Sequence, residues 1–462
     1  MGYCEGCFEK QLKIEQLQEE ITQLKAKLRY RERKEKEGFF GSSTPSSKIP
    51  IKENTPEKEN KPKGAQQGHK GTGRQKIYKE DAERIEYIPP CVGETCPHCG
   101  DKLEDKGFDT RGVLDSQPVK AKKVLYRLAK KYCRRCRKSF QPQAPGVLPR
   151  SLYGNQLIAT ASVMHYVHGI PMGRICEQME IGAGALVETF HALARLFKTV
   201  PQQLIEEYRQ APAKHADETT WRINGKNGYA WLFATPTISI FLFKSTRSSK
   251  IPKMVLGDQP LPGTLVVDRY AGYNKAPCAL QYCYEHLSRE CEDLEKEFPD
   301  TDEIKTFTSV MVPLLTEAMQ LRNQPIADDV FYAKAAEVKA GIIATVKAPA
   351  LHLGIRRIQD IFDENANRMY RWVEDRRVPA ENNLAERDLR PTVIARKVSF
   401  GSISDAGAET RGILMTVLNT LRKRKVDVVN HLKNALDQLA CDITIDPFKL
   451  LFPTSPSPPP DR

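Results

Sequence analysis

Apolar positions along this chain change their period several times, and each change marks an element. From residue 213, the segments AKHADETTWRI, GYAWLFATP and SIFLFKS read as three successive strands. Short turns at Asn224–Asn227 and Pro236–Thr237 separate them. Ser248–Leu256 predicts a short helix, and the apolar run of TLVVD predicts a fourth, buried strand. Residues 150–200 carry two or three amphipathic stretches broken at Gly169–Pro171 and Gly182–Gly184. They fit either a helix-turn-helix or ordinary helix packing. Residues 276–378 predict mostly helix, 380–390 a helix stopped by Pro391, and 408–440 a closing helical region. Near the start, Ile14, Leu17, Ile21, Leu24 and Leu28 are spaced 3, 4, 3, 4. That seam serves either a dimerising coiled coil or a solvated amphipathic helix.

Composition divides the chain further. Residues 39–80 are rich in Ser, Pro, Gly, Lys and Asn, and cannot bury a core; they predict a flexible basic linker. The Pro-rich tail PTSPSPPPDR predicts disorder. A formal net charge of +13 over 462 residues points to a polyanionic partner, nucleic acid before membrane surface. There is no run of 18 apolar residues and no signal-peptide core, so a membrane partner is not expected. Twelve cysteines in such a chain favour metal or free thiols over disulfides, and a cytoplasmic location.

Four of those cysteines have metal-ligand spacing. Cys96 and Cys99, then Cys133 and Cys136, form two Cys-x₂-Cys pairs 33 residues apart. Two intervening residues let both thiols of a pair face one ion, and four thiolates close a structural Zn²⁺ site. Cys4 and Cys7 form a further pair with no second pair nearby, and Cys91 is off the spacing. From Lys120 to Lys138 there are ten basic residues and no acid, and from Asn60 to Lys79 six and none. Such strips suit phosphate contact. Lys70, Arg74, Lys120, Lys122, Lys123, Arg127, Lys130, Lys131, Arg134 and Arg135 are the candidate DNA contacts there, with Arg390 further on.

Asp268 leaves a buried strand, where a lone carboxylate needs a cation or a solvated rim. Asp217 sits within the first strand of the run. If strands one and four are parallel neighbours, the two acids lie side by side and can bind Mg²⁺ or Mn²⁺. Three antiparallel strands, a helix and a fourth strand beside the first is the ribonuclease H order. PAENNLAERDLRP offers Glu381, Glu386 and Asp388 as a third acid. Glu386 is preferred, because on a helix it shares a face with Asn382 and Arg390.

HADET, VVDRYAGYN and NNLAERDLRP resemble the three acidic motifs of bacterial Asp-Asp-Glu transposases of the insertion sequence 66 family. The resemblance extends through the leucine-rich helix, the linker, the cysteine pairs and RPTVIARKVSFGS. It implies a ribonuclease H-like α/β core over 206–400, with Asp217, Asp268 and Glu386 as metal ligands and a helical insertion at 276–378. Around the core it implies a helical segment to residue 38, a zinc-binding DNA-binding domain at 81–145, helices at 146–205 and a C-terminal helical region at 401–462. The implied activity is strand cleavage and strand transfer of an insertion sequence, on double-stranded element ends and target, by a homo-oligomer aided by accessory proteins of the same element. Two alternatives stand beside it: a zinc-containing DNA-binding protein with an inactive core, and a nuclease that cuts without joining. In the segment after the second Asp, Cys283, His286 and Arg289 fit the family's pattern, whereas Glu290 stands where a base is expected. His286 is open between a DNA contact and a packed core residue.

Overall fold

The computed structural model describes residues 94–104, 119–424 and 427–453, with a few isolated positions nearer the N-terminus. Ile14 and Leu17 are helical and exposed. The rest of the seam, the linker with Lys70 and Arg74, Cys4, Cys7, Cys91 and the Pro-rich tail lie outside the described residues. The chain divides into two compact units, one within Thr44–Lys120 and one from Ala121 onward. That boundary falls inside the expected 81–145 segment, between the two cysteine pairs.

The larger unit opens with a hairpin, β1 (Lys131–Cys133) and β2 (Lys138–Phe140). Four helices follow: α1 (Asn155–Tyr166), α2 (Met172–Met179), α3 (Ala183–Leu196) and α4 (Val200–Arg209). Strands β3 (Ala213–Ile223), β4 (Lys226–Ala234) and β5 (Ser239–Lys244) form an antiparallel meander. Helix α5 (Lys250–Leu256) leads to β6 (Thr264–Val267), which pairs in parallel with β3. The sheet order is β5-β4-β3-β6-β7, where β7 is Ala279–Tyr282, parallel to β6. Helices α6 (Tyr284–Glu297), α7 (Asp302–Leu321), α8 (Asp328–Lys347), α9 (Leu353–Glu364), α10 (Ala366–Met369) and α11 (Arg371–Glu374) intervene before α12 (Asn383–Ser399). A two-residue strand, β8 (Gly401–Ser402), pairs with the far end of β3. Helices α13 (Asp405–Lys423), α14 (Val428–Cys441) and α15 (Pro447–Leu451) close the fold.

Three expectations change. Residues 279–282 form a strand, so the helical stretch starts at Tyr284 rather than at 276. Gln281 hides that strand in the sequence. It is fully buried, and its amide bonds to the carbonyls of Tyr282 and Met369 and to the N–H of Trp372. Pro391 lies inside α12 instead of ending it. Its ring removes one backbone hydrogen bond, but Ala385, Leu389 and Thr392 on the buried face continue through it. Finally, the helices on either side of the expected 206–400 segment are part of the same body. Helix α13 covers the edge strand β5: Thr420 Oγ1 accepts from Ser239 N at 3.1 Å and Thr416 Oγ1 from Phe241 N at 2.9 Å. Helix hydroxyls thus satisfy the outward N–H groups that an edge strand leaves open. Leu186 and Phe190 of α3 and Leu414 and Leu418 of α13 are buried in the same core.

The β3–β6 register is fixed where β6 begins. Gly263 has φ +70°, and Thr264 N donates to Pro212 O at 2.9 Å. A Cβ at Gly263 would overlap the carbonyl oxygens of Pro212 and Ala211. Gly263→Ala is therefore expected to destabilise the protein by about 2–4 kcal/mol. Gly184→Ala, at a helical position with open space around it, is expected to be neutral or stabilising by about 0.5 kcal/mol. Urea midpoints of the two variants check the contrast.

Candidate active site

Strand β3 carries Lys214, His215 and Ala216 through the core and then reaches Asp217 at a partly exposed position. Its parallel partner matches Ala213 with Thr264, Lys214 with Leu265 and His215 with Val266. Two residues further along each strand stand Asp217 and Asp268. Parallel strands with this register bring the two acids abreast. Each is set by a local turn or bond: Asp217 Oδ1 accepts from Glu218 N at 2.8 Å, and Asp268 Oδ1 from Tyr270 N at 3.0 Å.

Helix α12 supplies the third acid in its first turn. Asn382 caps that helix and is 1% exposed. Its side-chain Oδ1 accepts from the His215 ring at 2.9 Å, which puts the imidazole proton on Nδ1. Its Nδ2 donates to Ala216 O at 2.9 Å, the residue before Asp217. Its backbone N–H meets Cys283 Sγ at 3.2 Å, while Cys283 N donates to Val267 O at 2.9 Å, the residue before Asp268. Glu386 N in turn donates to Asn382 O at 3.2 Å. The middle of β3, the end of β6 and the start of α12 are thereby tied together within one or two bonds of each acid. Burial holds His215 down at about 4, so its ring is neutral in this clasp.

The Asp217 carboxyl is pushed well above the usual range, first by burial, then by Glu218 and Asp268, with Glu386 adding to the push. The three predicted acids therefore share one field. Glu218 is a member that the sequence reading overlooked. Its side chain is 2% exposed and pairs with Arg247 at 2.6 Å. Tyr273 O–H donates to it at 2.5 Å. Arg247 also lies 4.0 Å over the Tyr270 ring. Glu218 thus anchors the loop that follows Asp268. The HADET motif contained this acid, but nothing local distinguished an anchoring role.

Of the competing third acids, Asp388 is committed elsewhere: it accepts from Ser239 Oγ at 3.1 Å and pairs with Lys423. Glu381 is partly buried, and burial raises its carboxyl. Glu386 faces α6, where Arg289 Nη2 approaches its Oε2 at 3.4 Å and His286 Nε2 its Oε1 at 4.0 Å. That Oε1 is buried without a hydrogen-bond partner. The expected face with Asn382 and Arg390 is replaced by this one, because Asn382 turns into the core and Arg390 stays exposed. Glu290, in place of a base, pairs with Arg269 beside Asp268.

The two cysteine pairs have the same local form. Thr95 bridges to Lys102 around the first pair, and β1 and β2 flank the second. The residue after the second thiol is left-handed in both, with φ +80° at Gly100 and +54° at Arg137. N–H groups of His98 and Cys99 lower the Cys96 thiol, and those of Cys136 and Arg135 lower Cys133. Thiols already drawn toward thiolate suit a metal. Lys120, Lys122, Lys123, Arg127, Lys130, Lys131, Arg134 and Arg135 are all exposed. Among the described residues, no helix is long and apolar enough to cross a membrane.

Residues 150–410 match the model of the IS66 transposase family. The chain belongs to that family. Residues 94–137 match the zinc-finger binding domain of IS66 transposases, a span holding both cysteine pairs. The IS66 transposase match spans Asp217, Asp268 and Glu386. The chain is also 24% identical over 438 residues to the uncharacterized protein y4qI of Sinorhizobium fredii, covering 85% of this chain and 78% of that one. It is 24% identical over 410 residues to the uncharacterized protein y4hP of the same organism, covering 78% and 72%. IS66 membership supports a transposase function and suggests a DNA-processing, DNA-binding protein. The zinc-finger match supports bound zinc.

An acid whose folded pKa is raised contributes stability below its unfolded pKa and loses it as pH rises through the folded one. Asp217 is therefore a destabilising charge in the metal-free IS66 protein at pH 8. Asp217→Asn is expected to raise the metal-free melting temperature there, by about 2–4 °C for each kcal/mol relieved. The gain should shrink toward pH 4. A lower midpoint at pH 8 would mean that the carboxylate serves the fold as an acceptor.

Proposed function

We propose that this chain cuts and joins DNA strands at Asp217, Asp268 and Glu386, on a ribonuclease H-like core that holds Mg²⁺ or Mn²⁺. One observation carries the reading: Asp217 and Asp268 stand at matched positions of a parallel strand pair with Glu386 at the start of α12, and burial first, then Glu218, Asp268 and Glu386, push Asp217 toward its neutral form. The donor set fits a hard divalent cation, being all oxygen. The strand order supports the core assignment, with β6 and β7 added in parallel beside an antiparallel meander.

When bound, such ions stabilise the charge of a transferring phosphoryl group and acidify the attacking water or 3′-hydroxyl. The chain's own groups do the positioning. Asp217 from within β3 and Asp268 just past the end of β6 present abreast carboxylates, and Glu386 presents a third from a helix start. Arg289, held by Glu285 at 3.1 Å, stands ready beside Glu386 to meet a phosphate oxygen. Glu218 keeps the Asp268 loop in place through Arg247 and Tyr273. Lys70, Arg74, Arg390 and the exposed basic strip from Lys120 to Arg135 would track the DNA backbone. Cys96, Cys99, Cys133 and Cys136 would hold one structural zinc. Assembly as a homo-oligomer, with accessory proteins, belongs to the same reading.

The test uses supercoiled DNA carrying element ends. Asp217→Asn, Asp268→Asn and Glu386→Gln are each expected to lower Mg²⁺-dependent cleavage by at least about 10²-fold while DNA binding persists. Near wild-type cutting by Glu386→Gln would place the third ligand elsewhere. Cutting without joining would favour the nuclease reading.

Elemental analysis of the purified chain is expected to find at least one zinc, held by Cys96, Cys99, Cys133 and Cys136. Cys133→Ser should lose it and weaken DNA binding. A zinc content unchanged by Cys133→Ser would remove the four-cysteine assignment.

A further inference from the structure

We propose that Cys283, His286 and Glu386 form a second cation site, fitted to a thiophilic divalent ion of the zinc type. Cys283 caps α6, and His286 follows in the same first turn. Glu386 comes from the first turn of α12. One ligand atom from each lies within 4.8 Å of the other two. Ligands of a tetrahedral zinc stand roughly 3.3–3.8 Å apart at Zn–S of about 2.3 Å and Zn–N or Zn–O of about 2.0–2.1 Å. Side-chain adjustments of about 1 Å would close the set, and three protein ligands leave a fourth position open to water.

Two further observations point to a ligand. His286 Nδ1 and Glu386 Oε1 are both buried atoms without a hydrogen-bond partner. Unmet polar atoms of this kind are costly to bury. Nε2 is the ring atom that faces Glu386 Oε1, at 4.0 Å, so a cation reaches both unmet atoms once the ring turns. The Asn382 N–H points at Cys283 Sγ from 3.2 Å, as N–H groups do around metal thiolates, while burial holds the free thiol up at about 12, so a bound ion would displace its proton. Arg289 opposes a cation, but it engages the other oxygen of Glu386, at 3.4 Å, and shares its charge with Glu285 at 3.1 Å. Oε1 is left for the ion. A thiol and an imidazole select a softer cation than the all-oxygen pair at Asp217 and Asp268.

The site shares Glu386 with the carboxylate site proposed above, but its occupation requires neither cleavage activity nor the four-cysteine zinc site. Its test is Co²⁺ binding to the full chain preloaded with one equivalent of Zn²⁺. The wild type is compared with Cys283→Ser and His286→Gln, which leave the four cysteines of the zinc site in place. The wild type is expected to bind one further Co²⁺ with a near-ultraviolet thiolate-to-cobalt band. Cys283→Ser should lose that band with its circular dichroism unchanged, and His286→Gln should weaken binding at least about tenfold, roughly 1.4 kcal/mol. His286→Gln serves alone if Cys283→Ser fails to fold, since its ring is 40% exposed. An identical cobalt band and affinity in the wild type and His286→Gln overturns the proposal, as does the absence of a further equivalent in the wild type.

Discussion

The buried side chain of Asn382 is the joint on which the candidate site depends. An amide has one acceptor and two donors, and here it is shared between a neutral histidine ring and a strand carbonyl. The backbone of the same residue reaches the thiol that in turn sits over the end of β6. Charged partners could not do this work as well. In a core this dry, an anionic clasp would add to the field that already strains Asp217, and a cationic one would carry its own cost of desolvation. A neutral amide binds the three elements without contributing charge, and the neutral state of His215 serves the same end.

That economy matters because negative charge has been gathered deliberately at one place. Glu218, Asp268 and Glu386 all add to the push on Asp217; Glu218, itself raised by burial, is partly offset by Arg247 and Tyr273, and Glu386 faces Arg289. Arg247 and Tyr273 also steady the loop after Asp268. The Asp217 carboxylate is left without a cation of that kind. A fold that retains such a charge at the meeting of a parallel strand pair and a helix start keeps it for a ligand.

Much of the frame was legible in the sequence because its signals are local. The alternation and apolar runs of 213–267 specify β3 to β6, and two acids at matched distances along β3 and β6 follow from that pairing. The cysteine spacing likewise marks two knuckles that each take the same local form. What escaped depends on contacts between distant residues. Strand β7 is four residues long and buries a glutamine whose partners lie some 90 positions away. Pro391 is tolerated because helix packing outweighs one lost bond. Glu386 was chosen over Asp388 for a face it shares with Asn382 and Arg390, yet its neighbours are Arg289 and His286 of α6. Asn382 was placed on one helix face with Glu386 and Arg390, but its partners, His215 and Cys283, are 167 and 99 positions away.

The direct measurement is Mn²⁺ affinity, followed by electron paramagnetic resonance, in the wild type and in Asn382→Ala. Asn382 touches none of the proposed ions, so any change in affinity reports the placement of the carboxylates. The account predicts that Asn382→Ala, with its helical circular dichroism retained, binds Mn²⁺ at least about tenfold more weakly, roughly 1.4 kcal/mol. Unchanged affinity in a folded Asn382→Ala protein would contradict it, because the acids would then hold their places without the clasp.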